Sequence, residues 1–323
     1  MRIVVLAGGV GASKFLWGLA QEAVEDDLTA IVNTGDDIEL HGLRISPDVD
    51  IVTYTLAGLV DAGKGWGLAG DTFHCLEGLV KYGQPAWFTL GDRDLATHIF
   101  RTQALRQHRR LTEVADIVRR ALGVRARVLP MTDDPVGTHV LVGDGPMRSL
   151  HFQEYLVQRG AKDEVRGVEY QGSARARPGP EVLAALDESE AIFIAPSNPI
   201  ASIGPILAIP GIRERVRHLR VPLVAVSPVV GGASLKGPTD TFLRWAKVEV
   251  SPLGVSRYYQ SVLGRLDGIL IDRVDAGQAS AIEAAGVRVC VGETVMAGPE
   301  EKRSVARMAC KFLEDLGCPP PRS

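Results

Sequence analysis

The sequence predicts an α/β protein with a Rossmann-like, doubly wound, mostly parallel sheet and an inserted helical and antiparallel β subdomain. Three observations predict it: short apolar runs bounded by turn residues, helical patterns between many of these runs, and a middle segment of alternating apolar and polar residues. Nearly continuous β-branched runs are typical of strands that are buried on both faces of a parallel sheet. Their alternation with helical patterns indicates a doubly wound core.

The predicted core strands are, in chain order, residues 2–7, 29–33, 191–195, 222–227, 268–271 and 287–291. Helical patterns separate many of them, for example at residues 12–24 and 280–286. We expect a single Rossmann-like domain over residues 1–323, interrupted by an inserted subdomain at about residues 71–175. The insert is predicted to be helical over residues 71–122 and antiparallel over residues 125–160, where "ARVLPMTD" and "GTHVLVGDG" alternate.

The composition indicates a globular protein of the cell interior. The 323 residues are 46% hydrophobic and 23% charged, and a formal charge of −3 gives no electrostatic case for nucleic acid or an anionic membrane surface. No apolar stretch approaches the roughly 18 residues of a spanning helix, and "MRIVVLAGGVG" does not resemble a signal peptide. The cysteines lack CxxC spacing, so we expect reduced thiols and a cytoplasmic location.

A glycine loop, "VVLAGGVGASKF", follows the first strand and opens a helix. Gly8, Gly9 and Gly11 allow backbone amides to approach an anion closely, and the helix N-terminus adds partial positive charge. These features favour phosphate binding. The alternative is that the glycines only form a tight connection between strand and helix.

The same loop does not match two well-known nucleotide-binding patterns. It lacks the GK[ST] ending of the Walker motif, and Ser13 and Lys14 occupy the region of the third glycine of the dinucleotide fingerprint. Asn33 stands at the end of the second strand, where a dehydrogenase places a carboxylate for ribose. A nicotinamide-dependent reductase is therefore disfavoured.

Four aspartates crowd the segment "VNTGDDIELHGLRISPDVD", at residues 32–50. Asp36 and Asp37 follow the second strand, while Asp48 and Asp50 flank one valine. Clustered carboxylates repel one another unless a cation lies between them, and Mg²⁺ is commonly bound by one or two carboxylates together with substrate phosphates. We therefore expect Mg²⁺ here. The alternative is that these are ordinary loop aspartates that cap helices and face water.

A second polar segment, "WFTLGDRDLATHIFR", is predicted to be a strand end, a turn and the start of a helix. Arg93 is the cation best placed to reach the acidic pocket or a substrate phosphate, because its planar guanidinium matches two oxygens. Asp94 and His98 are four residues apart on one helical face. They can simply pair with each other.

Two further loops follow apolar strands. One carries Ser197 and Asn198 between two prolines, and the next carries Ser227, the glycine pair 231–232 and Lys236. Polar residues and glycines after three separate strands favour one shared cleft, large enough for a nucleotide. Ordinary turn chemistry is the alternative for each loop taken alone.

Taken together, these segments resemble the 2-phospho-L-lactate transferase family, which includes the mycobacterial phosphoenolpyruvate transferases. The matching motifs run in order from residue 8 to about residue 245: "GGVGASKF", "VNTGDD", "HGLRISPDVD", "GWGLAGDTF", "LGDRDLATH", "HFQEY", "APSNPIASIGPILAIPGIR" and "SPVVGG". The resemblance implies an Mg²⁺-dependent enzyme of coenzyme F-420 biosynthesis. Its donor would be lactyl- or enolpyruvyl-diphosphoguanosine, its acceptor the ribityl hydroxyl of 7,8-didemethyl-8-hydroxy-5-deazariboflavin, and its leaving group GMP.

The resemblance also implies roles for individual residues. Asp36, Asp37 and Asp50 are expected to be metal ligands, and Asp48 and Asp50, with Arg93, to contact the deazaflavin substrate. Nucleotide contacts are expected from the glycine loop with Ser13, Lys14 and Asn33, and from Ser197 and Asn198. Asp50 is the first candidate for the base that accepts the hydroxyl proton, and His98 the second, while Arg93 would stabilise transition-state charge. Trp66 is a candidate for stacking on the tricyclic ring, although such residues often belong to the core.

One other function class remains open at this point. A regulatory protein that binds a nucleotide sugar without turnover would share the core and the glycine loop, but it has no evident use for "SPDVD" together with "LGDRDLATH".

The choice among lactate, enolpyruvate and another three-carbon acid cannot be made from these residues. A homodimer is expected for an enzyme of this size.

Overall fold

The computed structural model describes residues 1–22, 25–61, 63–143, 145–235 and 237–320. Its strands are, in chain order, β1 (Ile3–Ala7), β2 (Leu28–Val32), β3 (Ile38–Leu40), β4 (Leu43–Ile45), β5 (Arg127–Pro130), β6 (Gly137–Val142), β7 (Arg148–His151), β8 (Val165–Gln171), β9 (Ala191–Ile194), β10 (Leu223–Val226), β11 (Val229–Val230), β12 (Ala233–Ser234), β13 (Gly268–Asp272) and β14 (Arg288–Gly292).

The α-helices of the same described part are α1 (Gly9–Glu22), α2 (Pro47–Leu56), α3 (His74–Lys81), α4 (Asp94–Arg106), α5 (Leu111–Ala121), α6 (Pro180–Glu188), α7 (Ile203–Ala208), α8 (Ile212–His218), α9 (Thr239–Trp245), α10 (Pro252–Leu263), α11 (Ala279–Ala284) and α12 (Pro299–Asp315). Short 3₁₀ helices span Glu25–Asp27 and Arg273–Gln278, and a π-helical turn spans Glu154–Gln158. No helix of the described residues has both the length and the apolar composition that a membrane crossing requires.

Seven of the described strands form the main sheet, in the order β14-β13-β10-β9-β1-β2-β5, and neighbouring strands pair in parallel. Alternate residues of β1 belong to two different cores, as strand geometry requires. Ile3, Val5 and Ala7 pack with α1, α2 and α12, whereas Val4 and Leu6 pack with α6, α7, α8 and α10. The predicted doubly wound α/β class is therefore confirmed.

The strand order reverses at β1. From this strand the sheet is extended by β2 and β5 on one side, and by β9, β10, β13 and β14 on the other. Strands β1 and β9 are neighbours, and the loops that follow them lead to helices on opposite faces of the sheet. In open α/β sheets, ligands bind at such a reversal point.

A separate antiparallel sheet, in the order β7-β6-β8, forms the β part of the insert, while α3, α4 and α5 lie within the predicted helical segment. The prediction that the antiparallel segment begins at residue 125 is wrong, because β5 pairs in parallel with β2 in the main sheet. Val128 and Leu129 are buried in opposite cores, so this strand is covered on both faces despite its short length. The antiparallel sheet extends instead from Gly137 to Gln171.

Candidate active site

A hairpin brings the two aspartate pairs together. Strands β3 and β4 pair antiparallel around His41 and Gly42, whose φ angles of 53° and 73° are those of a tight two-residue hairpin turn. The chain therefore reverses between the pairs, and the Ser46 hydroxyl donates a 2.8 Å hydrogen bond to Asp37. All four aspartates are buried, with exposed fractions of 3–6%, at the carboxyl edge of β2 and in the first turn of α2.

Asn33 links one aspartate of each pair. Its Nδ2 lies 3.0 Å from Asp36 Oδ1 and 3.0 Å from Asp48 Oδ2, while its Oδ1 accepts a 2.7 Å hydrogen bond from the Gly35 amide. Asn33 is fully buried, so its amide is held in a single orientation. The predicted nucleotide contact at Asn33 is, in this structure, the bridge between Asp36 and Asp48.

The Asp36 and Asp48 carboxyls both have raised pKa values. Burial is the main cause for each; repulsion from Asp48 adds to the effect on Asp36, and the pKa of Asp48 rises to about 6. Within the described part of the chain, the hydrogen-bond donors to this pair are neutral: the Asn33 amide, the Gln153 amide and the Gly9 backbone. A cation between the two carboxylates would favour their charged forms and lower both pKa values.

Asp37 and Asp50, in contrast, face arginines. Asp37 lies 3.5 Å from Arg44, although burial still raises its pKa to about 7. Asp50 receives both terminal nitrogens of the buried Arg101 guanidinium. Of the three predicted metal ligands, Asp36 is the one that no described arginine pairs with. Its near neighbour is Asp48, which was predicted to contact substrate.

A buried network runs from Asp50 along α4. His98 Nδ1 lies 3.7 Å from Asp50 Oδ2, and His98 Nε2 lies 3.2 Å from Asp94 Oδ2. The Tyr54 hydroxyl donates a 2.7 Å hydrogen bond to the other oxygen of Asp94. Burial raises the pKa of Asp94, but the bonds from His98 and Tyr54, with the charge of Arg101, outweigh it and leave that pKa lowered. His98 thus pairs with Asp94, as the structural alternative predicted, and also contacts Asp50.

Among the described residues, two arginines reach the acidic cluster, Arg44 and Arg101, and the sequence interpretation missed both. Arg93 is exposed, its Nη1 donates to the Ala69 carbonyl at 2.8 Å, and its backbone amide is held by Asp71. Helical spacing could have identified Arg101, because residues 94, 98 and 101 share one face of α4.

Gly8 joins the glycine loop to two other parts of the site. Its amide lies 3.3 Å from the Ser197 hydroxyl, which in turn donates a 2.8 Å bond to the Gly8 carbonyl. A Cβ atom at Gly8 would lie 2.8 Å from Asp48 Oδ2. The loops after β1 and β9 and the start of α2 therefore meet at this glycine. In the third loop of the predicted cleft, the Ser227 hydroxyl donates to the Val229 carbonyl and the Gly231 amide to Asp275.

At Gly9 and Gly11, glycine is needed for two different local reasons. Gly9 has a φ of 73° and begins α1, so the amides of the first turn of this helix lie at the same edge of the sheet. A Cβ atom at Gly11 would overlap the Pro196 carbonyl oxygen, so Gly11 allows α1 to approach the loop after β9. The Gly9 amide donates to Asp48, and the remaining amides of the first turn of α1 lie beside the acidic pair.

The other predicted nucleotide residues make local contacts. The Ser13 hydroxyl donates to the carbonyl three residues earlier, and Lys14 Nζ donates to the Met296 carbonyl at 2.7 Å, beyond β14. Asn198 Oδ1 accepts two backbone amides of its own turn, while its buried Nδ2 has no hydrogen-bond partner among the described residues. Lys236, in the predicted loop after β10, lies outside the described residues.

A cavity of about 340 Å³ adjoins the acidic cluster on the side of β5. Its wall combines carboxylates and guanidinium groups with a few apolar side chains, and it includes Thr34, Asp37, Glu39, Arg44, Arg106, Asp133 and Asp134. Trp66, predicted to stack on a substrate ring, is not among the lining residues. It is 44% exposed, with Lys64 Nζ 5.6 Å from its ring centroid.

The donor set suits a magnesium ion that substrate helps to hold. Among the described residues, no group of three or more His, Cys, Asp or Glu side chains is arranged to hold a metal ion by itself. Mg²⁺ needs no such set, because it usually keeps several waters and binds one or two carboxylates together with substrate phosphates. The Asp36–Asp48 pair, next to the N-terminus of α1, fits that pattern.

The chain is similar to known proteins over nearly its whole length. The family model of 2-phospho-L-lactate transferase CofD matches residues 3–298. A phosphoenolpyruvate transferase from Streptomyces griseus subsp. griseus is 45% identical over 318 residues, covering 98% of this chain and 99% of the relative. A 2-phospho-L-lactate transferase from Methanosarcina mazei is 37% identical over 306 residues, covering 95% of this chain and 98% of the relative.

A crystal structure of a upf0052 family member from Bacillus halodurans aligns with a TM-score of 0.60, covering 94% of this chain and 97% of that chain. Its identity is 17%, so this likeness concerns the fold alone. The family match and the two relatives extend over nearly the full chain, including the acidic hairpin, the glycine loop and the insert. The chain therefore belongs to the 2-phospho-L-lactate transferase CofD family and is a phospho-acid transferase.

Proposed function

We propose that this protein acts in coenzyme F-420 biosynthesis. It transfers a phospholactyl or phosphoenolpyruvyl group from a guanosine diphosphate-linked donor to the ribityl hydroxyl of 7,8-didemethyl-8-hydroxy-5-deazariboflavin and releases GMP. The transfer depends on Mg²⁺. Family membership supports the class of reaction, and the site supports the metal dependence and the location of the chemistry.

One observation carries the proposal: Asp36 and Asp48 form a buried carboxylate pair whose hydrogen-bond donors are neutral. The neighbouring Asp37 and Asp50 have arginine partners, whereas no ion pair to Asp36 or Asp48 is found among the residues that the structure describes. That place lies against Gly8 and the start of α1, where a diphosphate would bind. When bound, Mg²⁺ would neutralise charge on the donor diphosphate and hold it for in-line attack.

The protein supplies position and electrostatics around this pair. Asp36 and Asp48 hold the cation, and the first-turn amides of α1 face the donor phosphates. We assign the acceptance of the hydroxyl proton to Asp50, which Arg101 holds in a fixed orientation. His98, 3.7 Å from Asp50, is the second candidate.

The cavity beside Asp37 is our proposed site for the acceptor alcohol. Its carboxylates can accept, and its guanidinium groups can donate, the hydrogen bonds of a chain of hydroxyl groups. Asp37 belongs both to the cavity wall and to the acidic cluster, so a polyol bound there would have one end beside the diphosphate. Arg93 and Trp66 do not line this cavity. They would hold the deazaflavin ring if the bound acceptor extends from the cavity toward residues 64–73.

The direct test is to incubate the protein with Mg²⁺, the deazariboflavin and the guanylylated donor, and to measure GMP. We expect release that EDTA abolishes and that Asp36→Asn reduces at least about 100-fold. Binding of the donor without GMP release would instead indicate a nucleotide-binding regulatory protein. Competition among lactyl, enolpyruvyl and hydroxylated donors then identifies the three-carbon acid.

A further inference from the structure

We propose that Gln153 of the inserted subdomain is a positioning residue that fixes the Asp36 carboxylate for the cation. The proposal rests on the proposed function, since it concerns the same metal site. Gln153 is 5% exposed, and its Nε2 donates a 3.1 Å hydrogen bond to Asp36 Oδ2. The two residues are far apart in the sequence, and the motif "HFQEY" that contains Gln153 has no other role in the site.

Gln153 lies in a segment that is held by a backbone hydrogen bond and by buried aromatic neighbours. Its amide donates to His151 Nδ1 at 3.2 Å, at the point where β7 ends and the π-helical turn begins. Phe152 and Tyr155 are buried in the core of the insert and pack edge-on against Phe242, with ring centroids 5.9 Å and 5.8 Å away. The turn therefore directs its aromatic residues into that core and Gln153 toward Asp36.

Two further contacts fix the insert against the main sheet. The Thr138 amide donates a 2.6 Å hydrogen bond to the Gly35 carbonyl, in the loop that carries Asp36. The Tyr170 hydroxyl donates a 2.6 Å bond to the Ile200 carbonyl, in the loop after β9. Because these contacts come from β6 and β8, the distance between Gln153 and Asp36 does not depend on one flexible side chain.

The hydrogen-bonding chemistry of the side chain explains why an amide suits position 153. Asn33 donates to one oxygen of Asp36 and Gln153 to the other, so the plane of the carboxylate is set from both sides. A lysine or arginine would also orient Asp36, but it would cancel the charge that attracts the cation. Each carboxylate oxygen keeps a further lone pair after accepting one hydrogen bond, which leaves Asp36 able to bind metal.

The test measures cation binding apart from turnover. Free Mn²⁺ is followed by electron paramagnetic resonance while the full-length protein with GDP is titrated, comparing wild type with Gln153→Met, which keeps the side-chain volume but removes the donor. We expect Mn²⁺ affinity to fall about 10- to 100-fold. The Mg²⁺ concentration for half-maximal GMP release should rise by a similar factor, with most of the rate recovered at saturating Mg²⁺.

Gln171→Met is the matched control, because Gln171 lies in β8 of the same insert and is exposed. It should leave Mn²⁺ affinity unchanged. Gln153→Ala serves as the second variant if Gln153→Met does not fold. Wild-type Mn²⁺ affinity in either folded variant overturns the role of Gln153 and leaves the proposed function standing, whereas wild-type protein that binds no Mn²⁺ with GDP overturns both.

Discussion

Asp36 and Asp48 lie on different sides of a hairpin, yet the same Asn33 amide nitrogen is 3.0 Å from an oxygen of each. Burial makes this pair costly in the free protein, because two carboxylates must share a site from which water is largely excluded. On our proposal, this arrangement favours a bound cation over the empty site. Stability and function should therefore oppose each other at these residues.

Asp36→Asn should stabilise the protein in EDTA and abolish the stabilisation that Mg²⁺ with GDP provides. The neutral amide keeps the shape of Asp36 and removes its repulsion of Asp48, but it has only one acceptor oxygen for the donors Asn33 and Gln153. We expect the lost repulsion to outweigh the lost hydrogen bond, with a net gain of about 1 kcal/mol in the free energy of unfolding. Thermal denaturation with and without Mg²⁺ measures both effects. Asp26→Asn, at an exposed position, is the control and should change neither. A loss of stability in EDTA would contradict this account of the pair.

Stability without a cation should fall as the pH rises from about 4 to about 7. The Asp37 carboxyl has a pKa of about 7 when folded and 3.8 as its ordinary value, so in this interval the folded state retains a proton that the unfolded state has lost. Above the folded pKa the effect is complete and the curve flattens. Urea unfolding in EDTA across this range measures the slope, which Asp37→Asn should reduce; an unchanged slope would show that Asp37 is not responsible.

Arg101→Ala should destabilise the protein by about 3–5 kcal/mol, because it leaves the buried Asp50 carboxylate without its partner. Adding Asp50→Asn should recover part of that loss. Arg106→Ala, on the exposed side of the same helix, is the control, with a change of less than about 0.5 kcal/mol. Urea unfolding of the wild type and these three variants gives the comparison. Equal effects of Arg101→Ala and Arg106→Ala would refute the importance of the buried pair.

Gly8→Ala should reduce GMP release by at least about tenfold. The added methyl group would lie 2.8 Å from Asp48 Oδ2, so the Asp48 carboxylate must move from its position beside Asp36. Gly78→Ala in α3 is a matched control, because no atom lies within 4 Å of the added group. It should be neutral or slightly stabilising. Normal turnover by Gly8→Ala at limiting Mg²⁺ would remove Asp48 from the site.

Arg93→Lys should weaken binding of the deazaflavin without changing the free energy of unfolding by more than about 0.5 kcal/mol, since Arg93 is exposed. The fluorescence of the bound chromophore measures the affinity. Unchanged affinity would limit the proposed substrate contacts to the cavity beside Asp37.

The fold was predictable because its signals are local. Runs such as "RIVVLA" and "AIFIA" are apolar at every position, which is typical of strands covered on both faces, and each predicted core strand lies in the parallel sheet. Strand β5 was misassigned because four residues contain too little pattern to separate a short buried strand from an alternating one. Its place was decided by pairing with β2, a contact between distant parts of the chain.

Part of the candidate site was likewise predictable from the sequence, and part of it was not. The residues themselves identified a cluster of acidic groups, a glycine loop and a family, because those features depend on residue type and spacing along the chain. Which aspartate faces an arginine, that Arg101 rather than Arg93 reaches the cluster, and that Gln153 closes it from the insert were decided by the tertiary structure alone. Each of these depends on distances between segments far apart in sequence, and the packing of the hairpin, α4 and the insert against the sheet sets those distances.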